Sequence, residues 1–158
     1  MTDQIRGEKG AMRNSVQPGA RESVILSDPA EARLVQDDIE RALLSQHFEE
    51  HEIFGIRLAL EEALVNAIKH GNQMDRGRKV RILYQVSADS FLVRIADEGP
   101  GFDPADVPDP MAVENLERPC GRGLLLMRHY MSEVVFHPPG NVVSMTKLRS
   151  NGHLNGHA

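Results

Sequence analysis

Glu61-Glu62-Ala63-Leu64-Val65-Asn66-Ala67-Ile68-Lys69-His70-Gly71-Asn72 is the stretch whose reading decides the fold. It closes a longer run in which Ile53, Ile56, Leu60, Ala63, Leu64, Ala67 and Ile68 recur at steps of three and four. That is the period of an amphipathic helix, so one long helix is expected from about Glu50 to His70, with Gly71 ending it. On another face Glu62, Asn66 and Lys69 or His70 follow at about one turn each, so a carboxylate, an amide and a basic group project together. Taken alone, such a face is what any solvated helix presents.

Upstream, Ser23-Val24-Ile25-Leu26 is a short β-branched run that stops at Ser27-Asp28-Pro29, a helix start with Asp28 as cap, Pro29 in the first turn and Glu31 completing a capping box. This first helix is expected to reach Ser45, with Ala32, Val35, Ile39, Ala42 and Leu43 on its buried face. His47 and His51 have the spacing of two metal ligands on a helix, but Phe48 stands where the zinc-protease pattern needs Glu, which disfavours a metal there.

Downstream, Val80, Ile82, Tyr84 and Val86 alternate with Arg81, Leu83 and Gln85, and Phe91 to Ala96 follows after Ser87-Ala88-Asp89-Ser90. These two strands form an antiparallel hairpin. The second runs directly into Asp97-Glu98-Gly99-Pro100-Gly101. The proline-rich segment from Phe102 to Cys120 is long for a plain connection and suits a lid over a site. Gly121-Arg122-Gly123 is expected as a turn feeding a helix over Gly123 to Met131, and Glu133 to His137 with Asn141 to Leu148 as a closing hairpin around Pro138-Pro139-Gly140. Three helices and about five strands that do not strictly alternate indicate an α+β two-layer sandwich. One domain is expected over residues 22–149, between a flexible leader at 1–21 and a polar tail at 150–158.

Composition narrows the function. A chain of 158 residues holds one domain of ordinary size. A formal net charge of −5 argues against a dedicated nucleic-acid binder, which needs a basic face. No apolar run approaches the roughly 20 residues that span a bilayer, and no signal-peptide core opens the chain, so a cytoplasmic location is expected. The single cysteine, Cys120, has no partner in the chain for a disulfide and reads as incidental.

The three glycine- and acid-bearing segments make sense together as a nucleotide site. Asp97, at a strand end, can accept a charge-assisted hydrogen bond from a base amino group. Gly99 and Gly101 let a flat base approach the backbone. The Gly121-Arg122-Gly123 turn ahead of a helix suits phosphate, because helix starts carry unpaired N–H groups and a positive dipole end. Asn66 offers an oxygen to Mg²⁺, and Glu62, one turn earlier, can accept a proton from an attacking hydroxyl or water. Each feature taken singly is better read as a tight turn, a strand-end cap or a solvated face; their order reverses that preference. Neither the Walker loop nor the dinucleotide fingerprint is present.

In these residues the chain resembles the ATP-binding domain of the GHKL superfamily (gyrase, Hsp90, histidine kinase and MutL type), and in particular its stand-alone anti-sigma-factor serine/threonine kinases. Glu61 to Gly71 is similar to the N box, Asp97 to Phe102 to the G1 box, and Gly121 to Met127 to the G2 box. The resemblance extends from about Val24 to Leu148. It implies the Bergerat fold, a mixed, mostly antiparallel sheet covered on one face by helices. It further implies Glu62 as catalytic base, Asn66 as magnesium ligand, Asp97 as the adenine-reading acid, and Gly121, Arg122, Gly123 and Leu124 as lid hinge and phosphate cradle. Lys69 and His70 fall where the family also approaches the nucleotide. Where the family often opens its last strand with Gly-Thr, this chain has Gly140-Asn141.

The implied cofactors are ATP and Mg²⁺. The implied partners are a sigma factor and a STAS-domain anti-anti-sigma protein, which such kinases phosphorylate on serine or threonine, with homodimerisation through the first helix or a sheet edge as a further option. A histidine kinase fits less well, since about 50 residues ahead of the N box do not hold a dimerisation segment together with the first strand and helix. The rival from another class is an ATP-binding regulator that sequesters its partner without transferring phosphate.

Overall fold

A computed structural model describes residues 19–101 and 119–149, with side chains from Gly123 onward in the second stretch. In chain order these form β1 (Arg21–Leu26), α1 (Pro29–Ser45), α2 (Glu50–Val65), a π-helical turn (Asn66–Gly71), β2 (Lys79–Val86), β3 (Ser90–Ala96), α3 (Pro119–Tyr130), β4 (Glu133–His137) and β5 (Val142–Leu148). The strands make one five-stranded sheet in the order β1-β2-β3-β5-β4. Every pairing in it is antiparallel, so the mixed element of the expected sheet does not occur among the described residues.

The period-2 patterns determine which face of the sheet is covered. Val80, Ile82 and Tyr84 of β2 and Phe91, Val93 and Ile95 of β3 all point inward and are buried, while Arg81, Leu92 and Arg94 between them are exposed. Against the inner face lie the apolar stripes of the helices. Ala32, Val35, Ile39 and Leu43 are buried on α1, and every member of the stripe from Ile53 to Ile68 is buried on α2 and the π turn. The result is the α+β two-layer arrangement that the patterning requires, with helices on one face of the sheet.

Local details depart from the simplest reading in three places. Asp28 does cap α1, accepting from Ala30 N–H at 2.9 Å, but Glu31 turns back to Leu26 N–H at 3.1 Å and closes no capping box. The reason is that Asp28 N–H is already bonded to Leu26 O at 2.7 Å. The long helix does not stay α-helical to His70: from Asn66 it widens into the π turn, whose closing bond runs from Asn72 N–H to Ala67 O at 2.8 Å. Finally, α3 begins at Pro119 rather than Gly123. Proline suits the first turn of a helix, so Gly121-Arg122-Gly123 is wound into α3 instead of forming a turn ahead of it.

The far end of the sheet is tied to the helical layer by Arg149. Its guanidinium donates to Gln46 O and Ala88 O at 2.9 Å each and to His47 O at 2.6 Å, and it lies 4.5 Å over the Phe48 ring. His47 has a left-handed φ of 61° and sits in this connection, outside α2, whereas His51 is within α2 beside Glu49. The two therefore do not share a helix face. Among the described residues no group of three or more His, Cys, Asp or Glu is arranged to hold a metal ion. No described helix is long and apolar enough to cross a membrane. Of the segment Phe102 to Cys120 read above as suited to a lid, residues 102–118 lie outside the described residues, as do residues 1–18 of the expected leader and the whole of the expected 150–158 tail.

Candidate nucleotide site

Three segments distant in sequence meet along the last turns of α2 and the π turn. At the far end, Gly71 faces Asp97: a Cβ on Gly71 would lie 2.6 Å from Asp97 Oδ1 and closer still to the rest of the carboxylate. Gly99 packs onto the same point, where a Cβ would come within 2.5 Å of the Gly71 carbonyl carbon. Only glycine at both positions lets the Asp97 loop close on the end of the helix. Gly101 has a φ of +84°, and a Cβ there would meet the backbone of Pro139 and Gly140.

At the near end α3 crosses over Glu62. A Cβ on Gly123 would sit 2.8 Å from Glu62 Oε2. Glu62 and Gly71, nine positions apart, are thus the two ends of a shelf of at most about 13 Å, the length nine steps would have at the 1.5 Å rise of an α-helix. Asn66 lies between them, half-buried, at the junction where α2 gives way to the π turn. Among the described residues no hydrogen bond engages its side-chain amide, so its oxygen is available to a ligand. The length of the shelf suits an extended nucleoside triphosphate, with the base at Asp97 and the terminal phosphate toward Glu62.

The backbone around Asp97 is held on every side. Asp97 N–H donates to Asn141 O at 2.9 Å, Gly99 N–H donates to Asp97 Oδ1 at 2.7 Å, and Glu98 N–H donates to Asn72 Oδ1 at 2.7 Å. Asn141 Nδ2 donates to Asp97 O at 3.3 Å and Gly99 O at 3.4 Å. The residue that departs from the Gly-Thr pattern therefore still binds this loop, through its amide. Asp97 Oδ2 makes no hydrogen bond among the described residues and is the oxygen left to accept one from a ligand.

Electrostatics distinguish the two carboxyls. Burial pushes Glu62 above the usual carboxylate range, and the neighbouring Glu61 charge adds to the effect. Burial also raises Asp97, opposed by the Gly99 N–H bond and by the Arg78 charge. Both groups are held in partly dry surroundings where a hydrogen bond or a proton transfer has more effect than in water.

The remaining expected residues are placed as follows. Lys69 and His70 are exposed on the π turn, and the wider turn shifts them around the axis from the line of Glu62 and Asn66. Gly121 and Arg122 lie in the first turns of α3. Leu124 is buried in the core, so a role at the site would fall to its backbone. The glycine turn expected to cradle phosphate is part of a helix here, and the phosphate end of the shelf is formed by α3 packing on Glu62. The residues present fit Mg-ATP: a carboxylate oxygen at the Asp97 end, glycines that let the loop carrying it close on the helix end, and an amide oxygen in place of a carboxylate cage. Mg²⁺ is commonly bound in this way, through few protein ligands, phosphate oxygens and water.

Sequence reasoning missed Asn72 and Ser27. Asn72 is fully buried, and its Nδ2 donates to Ser27 Oγ at 2.9 Å. Asn72 stood at the end of the opening stretch and Ser27 was read only as part of a helix start. No local pattern marks a bond between residues 45 positions apart.

A family profile described as a histidine kinase-like ATPase domain matches residues 25–147. The chain is similar to the serine-protein kinase RsbW of Bacillus subtilis (strain 168), with 34% identity over 113 residues, 66% of this chain and 67% of that protein. It is 32% identical to the RsbW of Bacillus licheniformis over 104 residues, 61% of this chain and 65% of the relative. It is 30% identical to the serine/threonine-protein kinase BtrW of Bordetella bronchiseptica over 80 residues, 49% of this chain and 56% of the relative. The chain thus spans about two thirds of the first two relatives and less of the third.

Proposed function

The chain belongs to the histidine kinase-like ATPase family, and from that premise we propose that it is an ATP-dependent serine/threonine protein kinase of the anti-sigma type. Its substrate would be a STAS-domain anti-anti-sigma protein, and its sequestered partner a sigma factor, in the cytoplasm. The observation that carries the reading is the shelf itself, with the Asp97 carboxylate against Gly71 at one end and Glu62 beneath Gly123 at the other. Relatives that bear the name of serine or serine/threonine kinase support the choice of phosphoryl acceptor.

The chain's residues divide the work by position. Asp97 Oδ2 accepts a hydrogen bond from the base amino group and sets the register of the nucleotide. Gly71, Gly99 and Gly101 let the backbone close tightly around Asp97 and so hold its carboxylate at the base end. Asn66 supplies an oxygen to the metal, the backbone of Gly121, Arg122, Gly123 and Leu124 lies toward the phosphates, and Lys69 and His70, next to Gly71, lie toward the base end. Bound Mg-ATP supplies the transferable phosphoryl group and neutralises charge on the phosphate oxygens. Glu62 takes the proton from the attacking serine or threonine hydroxyl. That oxygen bonds to the terminal phosphorus as the bond to the bridging oxygen breaks, and ADP is the leaving group. A base with a raised pKa is suited to this step near neutral pH.

Calorimetry tests the site and a labelling assay tests the reaction. Mg-ATP is expected to bind the parent protein, and Asp97→Asn to weaken binding about a hundredfold or more, because a charged acceptor is lost from a partly buried site. No heat of binding in the parent would refute the proposal outright. With radiolabelled ATP and a STAS-domain protein, the parent is expected to label the substrate, and Glu62→Ala to bind ATP yet transfer about 10²–10⁴-fold more slowly. ATP binding with no labelling by the parent would support a sequestering module instead.

A further inference from the structure

Asp97 is aimed by a side chain that itself belongs to no ligand loop. Asn72 is 0% exposed and follows directly on the π turn, whose last backbone bond turns its side chain inward. Each polar atom of the amide has a partner. Oδ1 accepts from Glu98 N–H at 2.7 Å, and Nδ2 donates to Ser27 Oγ at 2.9 Å and to Lys79 O at 3.0 Å. Ser27, 1% exposed, donates its own hydroxyl hydrogen bond to Arg78 O at 2.9 Å. One amide therefore ties the end of the π turn to the end of β1, the entry to β2 and the segment that carries Asp97.

The bond to Glu98 N–H matters because the peptide between Asp97 and Glu98 is planar, so holding that N–H fixes the carbonyl side of Asp97. The other side is fixed by Asp97 N–H on Asn141 O at 2.9 Å. With the backbone bracketed and Oδ1 taken by Gly99 N–H at 2.7 Å, Oδ2 has one direction left. A fully satisfied buried polar group specifies a single arrangement, since any alternative leaves a donor or acceptor without a partner.

We infer that Asn72 is a positioning residue for base recognition, holding Asp97 where its free oxygen meets the exocyclic amino group of an adenine-type base. It thereby sets the preference for a nucleotide with that amino group over one with a carbonyl in its place. The inference rests on the ATP-binding reading above and goes beyond it by naming what sets base selectivity.

The test compares Mg-ATP with Mg-ITP, which share sugar and phosphates and differ at the amino position, by calorimetry on the full chain. The parent is expected to prefer ATP by about tenfold or more, the effect of leaving a buried acceptor without its donor. Asn72→Ala is expected to bring the two affinities within about threefold of each other, by weakening ATP and leaving ITP nearly unchanged. Ser27→Ala, which removes one of the two acceptors of the Asn72 amide together with the bond to Arg78 O, is expected to shift the ratio in the same direction by less. A folded Asn72→Ala that keeps the parent's ratio, or weakens both nucleotides in parallel, overturns the inference and leaves the ATP site standing. If Asn72→Ala does not fold, Ser27→Ala decides, and an unchanged ratio overturns the inference. A parent that binds ATP and ITP equally also overturns it, and a parent that binds neither overturns the ATP-binding reading with it.

Discussion

Glu62 is half-buried against the start of α3, beside a like charge on Glu61, and among the described residues it has no cation to offset either effect. Its folded-state pKa is raised, so the folded protein holds the proton more tightly than the unfolded chain. The sign follows from linkage: this contribution to stability is fully present below the ordinary carboxylate pKa and is lost as pH rises through the raised value. Glu62→Gln, which cannot ionise, is therefore expected to melt higher than the parent at pH 7.5, with the difference closing near pH 4. Thermal melts across that range check it, and a variant less stable at both ends would contradict the assignment. The transfer rate of the parent is expected to rise with pH through the same window, because the base acts only when ionised. Stability and activity at this one residue thus run in opposite directions with pH.

At the level of elements, α2 carries both the core stripe and the site, and two glycine contacts with α3 govern how the helices pack. A Cβ on Gly55 would lie 2.7 Å from the Tyr130 ring, which is itself edge-on to Phe54 at 6.3 Å. Gly55→Ala is expected to force the two helices apart and cost about 1–3 kcal/mol, read from denaturant midpoints. Gly123→Ala meets only the end of a flexible side chain, Glu62 Oε2 at 2.8 Å, and alanine favours the helix by about 0.5–1 kcal/mol. It is expected to hold or raise the melting temperature while slowing transfer about tenfold or more, since the carboxylate must move aside. A Gly123→Ala protein with parental transfer would show that Glu62 does not act from this position.

Across the whole molecule, Arg149, the residue that follows β5, locks the layers together. The Arg149 side chain is 8% exposed and its Nε lies 3.9 Å from the carboxylate of Glu52, which is 1% exposed. Its other donors tie the α1–α2 connection to the β2–β3 turn, and its backbone N–H adds a bond to Asp89 O at 3.0 Å. Arg149→Ala would remove the guanidinium 3.9 Å from the buried Glu52 carboxylate and strip donors from three carbonyls. A loss of about 2–4 kcal/mol is expected in equilibrium unfolding. Arg149→Lys is expected to recover little, because one ammonium cannot reproduce a planar fork that reaches both segments. The lock lies away from the nucleotide shelf, so ATP affinity in the folded variant is expected to be that of the parent.

Periodicity and turn chemistry were legible wherever the physics is local. The stripe from Ile53 to Ile68, the alternation of Val80 to Ile95, the strand-end position of Asp97 and the Asp28 cap all follow from nearest neighbours and from which face must leave water. They were enough to establish the two-layer α+β fold and to mark Glu62, Asn66, Asp97 and the glycines as one candidate site. Contacts across the fold decided the rest. The π turn, closed by Asn72 N–H on Ala67 O, has no counterpart in the helical period of the sequence. The early start of α3 winds the Gly121 to Gly123 segment into a helix and brings Gly123 onto Glu62. Asn72 acquires its role only when β1, β2 and the Asp97 loop converge on it, through bonds spanning 45, 7 and 26 positions. Local rules determine which residues can bury or bond, and only closure of the chain determines which partners a buried amide or carboxylate finds, because its cost without them is incurred in the folded interior alone.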